Sequence, residues 1–129
     1  MNKVINMLLV ALGGGCGAAV RYSLSLALQR VSLTMPYGTL AANWSGCLIM
    51  GVATALVGRA TLITPTSRLF LATGFCGGLT TFSTFMFELH RLATAREVFY
   101  SAAYLLASVG GSAVAFLLGL MTVELCIRQ

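Results

Sequence analysis

The chain has 129 residues, of which 58% are hydrophobic and 9% charged, with a formal net charge of +5. A soluble fold of that composition would leave far too much apolar surface in water, which excludes an ordinary globular domain and makes the bilayer the solvent that fits. The positive balance does not indicate nucleic acid either, because the basic residues stand singly at the ends of apolar runs and form no patch.

Apolar runs at 5–28, 38–57, 69–89 and 98–126 come close to the roughly 17 to 25 residues that cross about 30 Å of hydrocarbon. They predict an all-α membrane protein of four transmembrane helices, a single domain filling 1–129. The connections at 29–37, 58–68 and 90–97 are short enough to run neighbouring helices antiparallel.

The first run begins after Lys3 like a secretory leader, but Leu24, Leu26 and Leu28 continue it beyond Arg21, which is too long for a cleaved segment. Gly13, Gly14, Gly15 and Gly17 with Ala18 and Ala19 strip its surface of side chains and read as a place of close helix packing. Arg21 lies about two turns inside the end of the span. Two readings stay open for it: the side chain snorkels to the interface, or its charge draws anions into a vestibule.

In the second run Thr39, Asn43, Cys47, Met50 and Thr54 recur at spacings of three and four, so one face carries a polar edge with the single Asn of the run. Asn43 can donate two hydrogen bonds, either to a neighbouring helix or to a ligand.

The third run places glycines and hydroxyls in its middle, from Thr73 through Gly74, Gly77, Gly78, Thr80, Thr81, Ser83 and Thr84. A break centred on Leu79 is expected, at the depth where irregular backbone survives only if buried or lining a cavity. Broken helices at that depth bind ions, with freed carbonyls facing a cation; the alternative is a kink satisfied by Ser and Thr side chains. Phe82 and Phe85, three apart, share a face just beyond it.

The fourth run aligns Tyr104, Ser108 and Ser112 at intervals of four, a hydroxyl track that favours an ion-lining face. Gly110 and Gly111 beside it permit close helix contact. Chain direction brings Arg21, Thr39, Asn43, Phe82, Phe85, Glu88 and Tyr104 toward one side of the membrane. Donors with positive charge at the mouth suit a small anion.

Glu88, Glu97 and Glu124 are read as lying at span ends, leaving no internal acid for a proton-coupled cation exchanger. Enzyme motifs are missing, and the single His90 sits at a loop edge, so catalysis is not expected. Cys16, Cys47, Cys76 and Cys126 have no C-x-x-C spacing and read as small buried hydrophobes. Lys3, Arg59, Arg68 and Arg128 on one face nearly balance Arg30, Arg91 and Arg96 on the other, joined by Arg21 if it snorkels. Such a balance predicts little preference for either direction of insertion.

Over nearly its whole length the sequence resembles the Fluc family of fluoride channels, also called CrcB. The resemblance is carried by Gly13-Gly14-Gly15-Cys16-Gly17-Ala18-Ala19-Val20-Arg21-Tyr22, by Gly38-Thr39-Leu40-Ala41-Ala42-Asn43-Trp44-Ser45-Gly46, and by Gly74 through Phe85. It implies an antiparallel, dual-topology homodimer with two pores that exports fluoride across the cell inner membrane. It also implies that Asn43 donates to fluoride and that Phe82 and Phe85 line the pore. Thr39, Thr81, Ser83 and the Tyr104, Ser108, Ser112 track would continue the route. A structural sodium ion at the dimer centre, held by backbone carbonyls of Gly77 and Thr80 from both subunits, is implied as well. The competing class, a small multidrug or cation exporter of four helices, needs an acid in its first helix, and 5–28 contains none. A purely structural membrane subunit would explain the glycines but not the aligned Asn, Phe and hydroxyl positions.

Overall fold

The computed structural model describes residues 2–57 and 64–127. Arg59 and Arg128, two of the residues in the charge balance, lie outside the described residues. The described chain is helical, with α1 at Lys3–Leu28, α2 at Tyr37–Val57, α3 at Pro65–Arg68, a π-helical segment at Leu69–Cys76, α4 at Gly77–Leu79, α5 at Phe82–Thr94 and α6 at Val98–Ile127. Among the described residues, four helical paths are long and apolar enough to cross a membrane: Lys3–Leu28, Tyr37–Val57, Pro65–Thr94 and Val98–Cys126. The protein is therefore a multi-pass, all-helical membrane protein.

Capping explains where the paths begin and end, and why the third is longer than the expected 69–89. Asn2 caps α1 by accepting from the Val4 amide at 3.1 Å. Thr64 does the same for Ser67, also at 3.1 Å, with Pro65 in the first turn where its missing N–H costs nothing. At the far end the polar turn after Leu89 stays helical to Thr94. Closure there comes from Ala95 donating to the Arg91 carbonyl and Glu97 to that of Leu92, around Arg96 at φ 60°. Hydropathy marks what faces lipid, whereas caps mark where the helix stops.

Helix α1 packs on the π-helical segment and α4 through bare backbone. A Cβ added at Gly17 would run into the Phe75 carbonyl, and one at Gly78 into the Gly14 carbonyl, so glycine is required on both sides of this contact. Helix α2 packs along α6, where the Trp44 indole covers Gly111 and donates to the Ala107 carbonyl at 2.9 Å. Leu40, Phe85, Leu92 and Tyr104 form the buried cluster between α2, α5 and α6.

Two features of the third path differ from expectation. Its first part coils as a π-helix over eight residues, and nothing in the composition Leu-Phe-Leu-Ala-Thr-Gly-Phe-Cys signals this. The second concerns position, because the glycines stay helical, with Gly77 at φ −62°, ψ −35°. The extended residues are Thr80 at φ −81°, ψ 152° and Thr81 at φ −149°, ψ 121°. The physical reason is a division of labour. Glycine serves the close approach of α1, while β-branched Thr tolerates the extended backbone and Thr81 caps α5 through Thr84 N–H at 3.2 Å.

Candidate functional site

The break between α4 and α5 removes intrahelical partners from several backbone groups, and specific side chains take some of them up. Asn43 on α2 is the main one: its Oδ1 accepts from Thr81 N–H at 2.7 Å and its Nδ2 donates to Thr81 C=O at 3.2 Å. Asn43 is buried at 9% exposure, so both ends of its amide are fixed by one extended residue. A second hydrogen on Nδ2 remains available.

The same bonds show which carbonyls lose their helical partners. Thr81 N–H, the ordinary partner of Gly77 C=O, is taken by Asn43. Thr84 N–H, the ordinary partner of Thr80 C=O, is taken by Thr81 Oγ1. Gly78 C=O instead receives Arg21 Nε at 3.1 Å, so the guanidinium of half-buried Arg21 is tied to the break.

A cavity of about 320 Å³ opens beside the break. Its walls are Asn43 and Cys47 from α2, Thr80 and Thr81 from the break, Phe82 and Phe85 from α5, and Ser108, Val109 and Ser112 from α6. Of the pathway residues expected from sequence, Asn43, Thr81, Phe82, Phe85, Ser108 and Ser112 are thus brought together. Ser108 is 6% exposed and its Oγ has no hydrogen-bond partner. A buried hydroxyl in that condition is expensive unless something else supplies the bond.

The two phenylalanines are not equivalent. Phe85 is 3% exposed and its ring centroid lies 5.3 Å from that of Tyr104 and 5.6 Å from that of Phe82, with interplanar angles of 49° and 46°. Phe82 is 73% exposed.

Thr39 and Tyr104 lie away from the cavity wall. Thr39 Oγ1 donates to Glu88 Oε1 at 3.0 Å and the Tyr104 hydroxyl to Glu88 Oε2 at 2.5 Å. Thr39 and Glu88 also face a second, polar cavity of about 160 Å³ with Ser25, Ser32 and Arg91. Ser83 is exposed on α5, its Oγ 3.3 Å from Thr81 Oγ1.

Glu88, which chain direction places on the side of Thr39 and Tyr104, is not expected from sequence to bond both of them. Placed at the end of the run 69–89, it reads as a boundary acid, yet the helix continues to Thr94 and the carboxylate is half-buried between α2 and α6. The signal available was its spacing, three residues beyond Phe85 and on the side of the membrane already assigned to Thr39 and Tyr104. The expectation of buried thiols also needs correction: Cys76 is buried, Cys47 is partly so, and Cys16 and Cys126 are exposed. Both exposed thiols sit on outward faces of helices that lipid can cover, so burial in protein is not what keeps them from water.

The family described as CrcB-like protein, Camphor Resistance (CrcB), matches residues 8–120. The Fluoride-specific ion channel FluC of Chlorobium phaeobacteroides strain BS1 is 42% identical over 119 residues, covering 92% of this chain and 93% of the relative. The protein of the same name from Serratia proteamaculans strain 568 is 41% identical over 118 residues, with 92% and 93% covered. That from Xanthomonas oryzae pv. oryzae strain MAFF 311018 is 41% identical over 125 residues, with 97% and 93% covered.

Proposed function

The chain belongs to the CrcB-like family, and on that premise we propose that it is a fluoride channel whose ion passes through the cavity beside the helix break. The observation that carries the route is the cavity whose walls bring Asn43, Ser108 and Ser112 together with Phe82 and Phe85. Fluoride binds water tightly and enters an apolar span only if other donors replace that water. The free Nδ2 hydrogen of Asn43 and the Ser108 and Ser112 hydroxyls supply them. The positive edges of the Phe82 and Phe85 rings add attraction, and their bulk narrows the path against larger halides. Beyond Ser108 the route leads one turn along α6 to Tyr104, then past Thr39 to the polar cavity that Arg91 lines. Thr81 and Ser83 hydroxyls lie on the other flank of the break.

The assembly we infer is an antiparallel homodimer, a single transmembrane domain of 1–129 inserted both ways in the inner membrane, with the break at mid-bilayer. The near-even Lys and Arg count supports dual insertion. Gly77 C=O and Thr80 C=O, which the break deprives of their helical partners, fit a hard cation such as sodium at the dimer axis. Among the described residues no three His, Cys, Asp or Glu side chains cluster to hold a metal, so carbonyls are the ligands to consider. When bound, sodium would add fixed positive charge in a low dielectric. An exporter of drugs or cations is disfavoured, since α1 carries no acid.

The deciding experiment is efflux from liposomes holding the purified protein, followed with fluoride-selective and chloride-selective electrodes. Rapid fluoride release with chloride retained is expected. Equal release of both ions, or of neither, overturns the proposal. Replacing sodium by a large organic cation is expected to weaken the dimer or stop the flux.

A further inference from the structure

The route past Tyr104 and Thr39 reaches one side of the membrane, and an ion that crosses needs a second opening on the other. Asn43 and Cys47 of α2 line the fluoride cavity. Met50 and Thr54, at the next three- and four-residue steps along the same helical face, line a separate pocket of about 90 Å³. The third path follows the same course on the opposite wall, with Thr80 in the cavity and Ala72 and Arg68 in the pocket. Thr54 stands about 16 Å along the helix axis from Asn43, so the pocket lies toward the Val57 end of α2, away from Thr39. Half-buried Met50 separates the two spaces, and an unbranched thioether readily changes rotamer to let a small guest by.

Among the described residues Arg68 is the charged member of this pocket, and no acid lines it. Thr54 offers no hydrogen to a guest, because its hydroxyl donates to the Met50 carbonyl at 2.8 Å. The pocket therefore attracts an anion through one guanidinium and cannot replace a whole shell of water. Its volume has room for about three waters, so the ion stays hydrated there. We infer that Arg68 forms the second mouth of the channel, a site that gathers hydrated fluoride without selecting it. This deepens the fluoride reading above and rests on it. Selection belongs to the Asn43 cavity, where donors and ring edges take the place of water. A mouth that works by charge raises the rate of entry, is screened by salt and leaves the preference for fluoride over chloride unchanged. An arginine that only anchors the helix end at the interface would do none of these.

The test compares fluoride efflux from liposomes holding the parent, Arg68→Gln or Lys3→Gln. Lys3, at the start of α1, is a cation on the same side of the membrane that lines none of the cavities described. At low ionic strength Arg68→Gln should slow efflux by about threefold or more, and the deficit should shrink in high salt. Chloride should be retained as in the parent, and Lys3→Gln should match the parent. For a readout within one folded protein, Arg68→Cys is made in a chain whose four native cysteines are changed to alanine, and is modified in detergent before reconstitution. A thiol reagent carrying a quaternary ammonium should speed efflux, and one carrying a sulfonate should slow it. Parent rates in Arg68→Gln at low salt, a loss that high salt does not lessen, or equal effects of the two reagents overturn the mouth. If the parent releases fluoride while these outcomes appear, the mouth alone is refuted; if the parent releases none, the channel reading falls and the mouth with it.

Discussion

Helix α1 meets the π-helical segment and α4 backbone against backbone, and α2 meets α6 in the same way at Gly51 and Gly119, whereas beside the break α2, α5 and α6 meet through side chains and leave about 320 Å³ between them. Both regions place small residues inside apolar spans. The difference lies in what each contact leaves unfilled. In the first, a carbonyl occupies the place where a Cβ would stand, so the backbones approach closely. In the second, Phe, Asn and Ser side chains hold the helices apart, and a buried hydroxyl remains without a partner. A channel needs both: a rigid seam that fixes the break and a looser one through which the ion moves.

The comparison is most easily broken at the seam. Gly17→Leu places a side chain on the Phe75 carbonyl, and the contact cannot yield without displacing α1 from the break. We expect a loss of about 3 kcal/mol or more, seen as failure to recover a monodisperse protein from detergent. Gly15→Leu, whose Cβ would meet nothing within 4 Å, is the matched control and should purify like the parent.

Asn43→Ala attacks the place where the two regions join. It leaves Thr81 N–H and C=O unpaired at a cost of about 1 to 3 kcal/mol for each group that water cannot reach. Fluoride efflux should be abolished and thermal unfolding should shift down. Asn43→Asp keeps the acceptor for Thr81 N–H at 2.7 Å but removes the donor and adds a negative charge. Recovery of stability without recovery of flux would assign Asn43 a role beyond holding the break, whereas recovery of both would refute it.

Glu88→Gln sharpens the loose side. Thr39 donates to one carboxylate oxygen and Tyr104 to the other, and an amide keeps an acceptor at only one of those two positions. Losing one charge-assisted bond should lower stability by about 1.5 to 3 kcal/mol, read by thermal unfolding of the purified protein. Tyr104→Phe should cause a similar loss, and the double variant should lose less than the sum, because the two residues share that bond.

How much of this was legible follows the same division. The four helical paths could be read from hydropathy, and spacing aligns Phe82 with Phe85 and Ser108 with Ser112, because these residues lie on regular helices; that they share one route with Asn43 is what the family resemblance implies. The glycine seam was legible as a packing surface. The π-helical turns at Leu69–Cys76 were not, since a change from i+4 to i+5 bonding leaves no mark on composition. Composition centres the break on Leu79, among glycines and hydroxyls alike; tertiary packing against α1 keeps Gly77 helical, and the extended residues are Thr80 and Thr81. Glu88 was misplaced because hydropathy ended the span at 89, before the caps ended the helix.

The smallest effect separates the two rings. Phe85 is packed between Phe82 and Tyr104, so Phe85→Ile keeps apolar bulk but loses ring contacts worth about 0.5 to 1.5 kcal/mol. Phe82, at 73% exposure, has little to lose in the fold of one chain, and Phe82→Ile should leave its thermal unfolding within about 0.5 kcal/mol of the parent. If the ring edges meet the ion, both variants slow fluoride efflux despite this difference in stability, and Phe→Tyr at either position gives an intermediate rate. Flux that falls only in Phe85→Ile, in step with its stability, would make Phe85 a packing residue. The route would then rest on Asn43, Ser108 and Ser112, the polar groups that line the cavity whichever way the rings turn.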